Sequence, residues 1–274
     1  MTPAAHRRDT PAALAHRGFS REGAENTLEA FRAARDLGYE WVETDVNTTR
    51  DGVVVAFHDG TLERVTGTSG DVSALTWEQI RQERVAGAGC IPRLADLLVE
   101  LPELKLNIDV KDEASVAALP VLLHQLGAVD RVRVTSFSER RRRRTLRRLR
   151  ALAGRTAPTS SGQGGMRLLL VCSRLGGPGW RVARRLAAPW IEPFDTVQIP
   201  RRHRTRGGAE VELVTPGFLD FAHRHGIAVH VWTVNDTAEM TELLDLGVDG
   251  IITDRADLLA ELLAGRGQWP PSRA

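Results

Sequence analysis

The sequence predicts an α/β fold, a (β/α)8 barrel of the TIM type with a small insertion between its second and third barrel strands. Two observations predict it. Short apolar runs rich in Val, Ile and Leu alternate with helical segments along the whole chain, and eight such units fit the 274 residues as one domain. Ionisable side chains also gather at the C-terminal ends of the first three runs, the end at which a barrel of this type carries its chemistry.

The barrel strands are expected at residues 12–16, 41–46, 105–110, 131–136, 155–159, 195–199, 228–233 and 250–253. The fifth is interrupted by Pro158, which cannot donate to a ladder. Asn26-Thr27-Leu28-Glu29 has the pattern of an Asx cap followed by an acid, and Gly38 ends that helix. Thr49-Arg50-Asp51-Gly52 predicts a turn into an extra strand at 53–57. The insertion occupies about 59–103. Within it, Pro92 opens a helix over 93–101 where its missing N–H costs nothing. Asp112 caps the helix after the third barrel strand, and Pro120 is expected to kink or break it. The helices at 237–246 and 255–264 end at Gly247 and Gly265. The barrel domain spans 11–265, flanked by a disordered tail at 1–10 and a frayed tail at 266–274.

Composition excludes several classes. The formal charge of +2 gives no bulk attraction to nucleic acid. Cys90 and Cys172 are far apart and have no metal-ligand spacing, which fits a reducing compartment; Cys172 follows the apolar run 166–171 and reads as a small core residue. No stretch has the length of a membrane span or the apolar centre of a signal peptide, so the expected location is cytoplasmic.

The first run ends in His16-Arg17-Gly18, and the second carries Glu43 and Asp45 on one face, two residues apart. The extra strand ends in His58-Asp59, and the third barrel strand ends in Asp109-Val110-Lys111. Carboxylates converging in this way would repel one another without a cation. The hard oxygens of Glu43, Asp45 and Asp109 suit Mg²⁺ or Ca²⁺.

The chain further carries AHRG at 15–18, ENT at 25–27, EWVETDV at 40–46, FHDGTLERVTG at 57–67, IPRLADLL at 91–98, LNIDVK at 106–111, TSF at 135–137, VHVWTVN at 229–235 and GVDGIITD at 247–254. In that order and spacing, these motifs resemble the glycerophosphodiester phosphodiesterase family, over nearly the whole domain. The resemblance implies metal-dependent hydrolysis of glycerophosphodiesters, such as glycerophosphocholine, to sn-glycerol 3-phosphate and an alcohol. It implies Glu43, Asp45 and Asp109 as metal ligands, His16 and His58 as the acid–base pair, and Arg17 and Lys111 as phosphate holders. It also favours a pocket role for Trp232, which barrel geometry alone leaves open between pocket and core. Ala24 and Asp109 stand where the family commonly has Pro and Glu. Lysophospholipase D or sphingomyelinase D-like action on lipids is the alternative, favoured by any long apolar lip beside the site. A non-catalytic phosphate- or lipid-binding barrel is the third reading, disfavoured because binding alone needs no acid–base pair.

Three weaker signals complete the reading. The arginines from Arg140 to Arg150 keep a helical apolar stripe, which predicts a solvated outer helix or, as the sharper alternative, contact with an anionic membrane surface. The loop Arg201-Arg202-His203-Arg204-Thr205-Arg206 is placed on the catalytic side. Gly162-Gln163-Gly164-Gly165-Met166-Arg167 lacks the third glycine and the acidic partner of a dinucleotide loop.

Overall fold

Alternating apolar runs and amphipathic helices assemble, in a computed structural model describing residues 10–175, 179–205 and 207–270, into a ring of parallel strands wrapped by helices. The strands of the main sheet are β1 (Ala12–His16), β2 (Trp41–Thr48), β3 (Val54–Ala56), β4 (Lys105–Val110), β5 (Val132–Thr135), β6 (Thr196–Pro200), β7 (Ala228–Trp232) and β8 (Gly250–Thr253). The principal helices are α1 (Leu28–Asp36), α2 (Leu94–Glu100), α3 (Glu113–Gln125), α4 (Glu139–Ala153), α5 (Gln163–Arg174), α6 (Trp180–Ala187), α7 (Pro216–Arg224), α8 (Thr237–Leu246) and α9 (Ala256–Gly265).

The sheet runs β5-β4-β2-β1-β8-β7-β6, with β3 antiparallel on β2. Its two edges meet through a pair of residues. Thr159 bridges to Val134 of β5, and Ser160 bridges to Thr196 of β6, both in parallel. The fifth barrel position is therefore filled by two residues rather than by a strand at 155–159. Pro158 supplies only its carbonyl there, accepting from Val134 N at 3.0 Å, and the pairing begins after it.

Between β2 and β4, the turn at 49–52 leads into β3, and a small apolar cluster of Val55, Phe57, Leu62, Val72, Ile80, Val85 and Ile91 forms apart from the main core. The main core joins the strands to α1–α9 through fully buried side chains such as Phe31, Ile108, Leu119 and Phe221.

Several local expectations need correction. The cap of α1 is Thr27, which accepts from Ala30 N, whereas Asn26 is buried and turned toward β2. Pro92 precedes the cap residue Arg93 instead of opening the helix. Helix α3 continues through Pro120, which is buried inside it. The chain beyond α9 is not frayed as far as Trp269. The indole packs edge-on against Tyr39 at 4.8 Å and donates to Leu37 O at 3.2 Å, which holds the segment on the barrel. The rest of the expected tails, 1–9 and 271–274, lies outside the described residues, as does Arg206.

Candidate active site

All eight side chains singled out from the sequence, namely His16, Arg17, Glu43, Asp45, His58, Asp109, Lys111 and Trp232, line one cleft of about 630 Å³ at the C-terminal mouth of the barrel. Parallel pairing produces this convergence. His16 of β1 is in register with Glu43 of β2, and Asp45 of β2 is in register with Asp109 of β4.

The backbone bends sharply just after β1. Arg17 has φ 56° and Gly18 has φ 83°, so two successive residues occupy the left-handed region. A side chain at Gly18 would meet Ala30 C at 2.7 Å, so glycine alone lets α1 approach this turn. The turn sends Arg17 back over β2, where its Nε lies 3.1 Å from Asp45 Oδ2 and its Nη1 donates to Glu25 at 2.8 Å. Asn26, also left-handed at φ 55°, donates to Asp45 Oδ2 and accepts from Thr44 Oγ1. That buried anchoring role replaces the capping role expected from its pattern.

Each histidine has a carboxylate behind it. His16 Nδ1 is 2.6 Å from Asp254 Oδ1, and its Nε2 is 3.8 Å from Glu43 Oε2. Asn235 grips Asp254 in turn, donating to Oδ2 at 2.8 Å and accepting from its backbone N–H at 2.9 Å. His58 Nδ1 is 2.6 Å from Asp59 Oδ1, and Arg64 donates to Asp59 Oδ2 and to both oxygens of Glu25. An unbroken file of opposite charges thus runs Asp45–Arg17–Glu25–Arg64–Asp59, and His58 pairs with its last member. The loop bearing His58 is fixed from below by Asn47, whose amide donates to the carbonyls of Phe57 and Asp59 at 2.9 and 3.0 Å.

Burial and neighbouring charge set the protonation of the site. Burial pushes the Glu43 carboxyl up to about 8, and nearby Asp45 adds to the rise. Burial also presses on Asp45, but Lys111 and Arg17 outweigh it and hold that carboxyl below the ordinary range. Asp109 is raised by burial, only partly offset by Lys111. Burial alone would lower Lys111, yet Asp45 at 2.8 Å and Asp109 at 2.6 Å hold it at about 12. Burial likewise works to lower His16, but Asp254 and Glu43 overcome it and raise the imidazole.

The buried carboxylates have more acceptor capacity than the protein fills. Asp109 Oδ1 is buried without a hydrogen-bond partner, and burial together with Asp45 keeps the Glu43 carboxyl raised despite His16 and Lys111. By donor chemistry and by this orphaned oxygen, the set fits a hard cation. It is not a preassembled shell: among the described residues, no three His, Cys, Asp or Glu side chains stand together as ready ligands, and Lys111 bridges Asp45 and Asp109.

The remaining wall of the cleft is largely apolar, with Arg167 and Arg174 of α5 at the lining as well. Phe137 stacks edge-on against Trp232 at 5.7 Å, and the Lys111 ammonium lies 5.5 Å from the Phe137 ring. Met166 and Leu170 of α5 and Val211 and Leu213 continue this wall. The glycine-rich run at 162–167 opens α5, and Glu139 accepts from Gly162 N and Gly165 N. These backbone amides are therefore already paired with a carboxylate of the protein. In the loop after β6, Arg201 and Arg202 pair with Glu212, while His203 and Thr205 reach the cleft.

The glycerophosphoryl diester phosphodiesterase family model matches residues 16–158 and 193–258, the two stretches that carry every one of these site residues except those of α5. The chain belongs to this family. It is accordingly a phosphoric diester hydrolase. It is 41% identical over 260 residues to a protein of Mycobacterium tuberculosis described as probable glycerophosphodiester phosphodiesterase 2, covering 94% of this chain and 92% of the relative. It is 28% identical to a glycerophosphodiester phosphodiesterase of Caldanaerobacter subterraneus, covering 93% and 98% of the two chains. Among solved structures, an Oleispira antarctica phosphodiesterase in complex with the product sn-glycerol-3-phosphate shares the fold, with TM-score 0.69, 21% identity and coverage of 93% and 97%. A glycerophosphodiester phosphodiesterase of Agrobacterium tumefaciens shares it too, with TM-score 0.69, 24% identity and coverage of 92% and 99%.

Asp254, Asn235, Glu25, Asp59 and Arg64 were not assigned roles by sequence reasoning. Their letters stood inside the motifs ENT, FHDGTLERVTG, VHVWTVN and GVDGIITD, which was the available signal.

Proposed function

We propose that this protein hydrolyses glycerophosphodiesters to sn-glycerol 3-phosphate and an alcohol, with His16 and His58 as the acid–base pair. The observation that carries the reading is two imidazoles on one cleft, each backed by its own carboxylate at 2.6 Å. Asp254 and Asp59 accept from Nδ1, which leaves each Nε2 for proton exchange. His16 takes the proton of the attacking hydroxyl, whether from water or from the glycerol of the substrate, and His58 gives one to the leaving alcohol. Arg17 and Lys111 hold the phosphoryl oxygens, and their present pairing with Asp45 and Asp109 keeps both oriented toward the cleft.

Glu43, Asp45 and Asp109 would hold a divalent cation, Mg²⁺ or Ca²⁺. When bound, it neutralises charge on the phosphoryl group and lets all three carboxylates ionise. Both cysteines are free, in keeping with a reducing cytoplasmic setting.

The apolar wall of Phe137, Met166, Leu170, Val211, Leu213 and Trp232 favours a second reading, lysophospholipase D-like cleavage with an acyl chain laid along it. The deciding assay offers the purified protein glycerophosphocholine and lysophosphatidylcholine, with Mg²⁺ or Ca²⁺ and with excess chelator. The first reading predicts glycerol 3-phosphate release that chelation abolishes and added cation restores. Full turnover in chelator refutes the metal assignment, and turnover of the lysolipid alone favours the second reading.

A further inference from the structure

The arginine helix that the sequence brings forward as a membrane contact is a poor one in the fold. Arg142 is fully buried and tied to Glu139, Thr159 and Glu192 O, while Arg144, Arg147 and Arg150 pair with Glu113 and Glu192. Its stripe residues Leu146 and Leu149 are buried.

A different surface, on α5 and α6, has the opposite character. Between Gln163 and Ile191 the sequence holds Arg167, Arg174, Arg181, Arg184 and Arg185 and no acidic residue. All five arginines are exposed, and none takes part in an ion pair among the described residues. Large apolar side chains stand exposed among them: Leu175 at 76%, Leu186 at 70%, Trp190 at 69% and Val182 at 60%. The cause is the seating of α6. Trp180 is buried at its start, packed edge-on against Phe194 and Phe221 at 6.4 and 6.2 Å. At about 100° per residue, Val182 and Leu186 then fall on the side turned away from that anchor. This segment lies within 159–192, between the two stretches matched by the family model, so nothing in it is carried over from the family.

We infer that α5 and α6 form a docking surface for an anionic phospholipid bilayer. Unneutralised arginines beside exposed Leu, Val and Trp are the composition of an interfacial element, in which apolar side chains enter the headgroup boundary and arginines meet lipid phosphates. Trp is the side chain best suited to that depth. Helix α5 also lines the cleft, through Met166 and Leu170 and through Arg167 and Arg174, so docking there brings a lipid surface alongside the cleft wall. No helix among the described residues is long and apolar enough to cross a membrane, so the contact is peripheral.

The test is cosedimentation of the full chain with mixed phosphatidylglycerol–phosphatidylcholine vesicles and with pure phosphatidylcholine vesicles. Binding is expected only to the anionic vesicles, and to weaken at high salt. Each basic residue near such a surface contributes roughly fivefold, so replacing Arg181, Arg184 and Arg185 together by Gln weakens partitioning on the order of a hundredfold. Leu186→Ser with Trp190→Ser should weaken it as well, and neither variant should change turnover of a soluble diester. Arg140→Gln with Arg148→Gln on α4 should leave binding intact. Retained binding in the α6 variants, its loss in the α4 variant alone, equal binding to neutral vesicles, or self-association without vesicle binding would each overturn the proposal.

Discussion

Replacing Asp254 by Asn changes one oxygen for one nitrogen and should nevertheless disable His16. Asp254 is held below the ordinary carboxyl range: burial opposes this, but hydrogen bonds from His16 and Asn235 outweigh it. It is therefore an acceptor only, and the proton between it and His16 sits on Nδ1. The Nε2 lone pair is then available toward the cleft. In the Asn variant, the amide of Asn235, which donates to Oδ2 at 2.8 Å, selects the remaining carbonyl oxygen as its partner. The new NH₂ group then faces Nδ1, forces it to accept, and moves the imidazole proton to Nε2, where a base is no longer present. A general base contributes about 10²–10⁴-fold, and that is the expected loss in kcat. Asp254 does not line the cleft, so KM for a soluble glycerophosphodiester should change little. Its side chain is half exposed, so Tm should change little as well. Steady-state release of glycerol 3-phosphate measures both constants. Near wild-type kcat in Asp254→Asn, or a loss confined to KM, would refute the tautomer argument.

Two further predictions concern stability. Arg142→Met leaves Glu139 without its buried partner and takes a donor from three further acceptors, Thr159 Oγ1, Glu192 O and Pro193 O, at a cost of about 3–5 kcal/mol, which denaturant unfolding would register as a lower midpoint; an unchanged midpoint would refute the role of this pair. Burial acts against ionisation of Asp249, but His223 at 2.7 Å and Val229 N–H at 2.8 Å prevail and hold its carboxyl low, so its stabilisation is fully present above about pH 4 and is lost as pH falls through the lowered folded value. The Tm gap between wild type and Asp249→Asn should accordingly narrow in acid, and a gap that widens there contradicts the assignment.

The barrel was legible where a strand is a continuous apolar run bounded by turns. The strands Ala12–His16, Lys105–Val110 and Gly250–Thr253 have the bounds read from their residues. It was least legible at the fifth position, where closure rests on single bridges by Thr159 and Ser160 and no run of residues carries a pattern. The charged residues at strand ends were readable because spacing of two on parallel neighbours sends them to one mouth. Their partners were not, because pairing across the ring joins residues that sequence separates widely: His16 to Asp254, and Arg64 to Glu25. Asn26 misled because a short polar side chain before a helix has two uses, and burial beside Asp45 selected the other one. Trp180 and Val182 illustrate the same limit. Both are apolar and two residues apart, yet only tertiary packing decides that one is buried and the other faces solvent.

The division of labour between the two histidines is tested most directly by leaving-group dependence. If His58 supplies the proton to the departing alcohol, His58→Ala should be impaired about 10²–10⁴-fold on glycerophosphocholine and much less on a nitrophenyl diester, whose leaving group needs no proton. His16→Ala should be impaired comparably on both, since activation of the nucleophile is missing in each case. Equal rescue of the two variants by the nitrophenyl substrate, or near-normal turnover of glycerophosphocholine by either, would contradict the account.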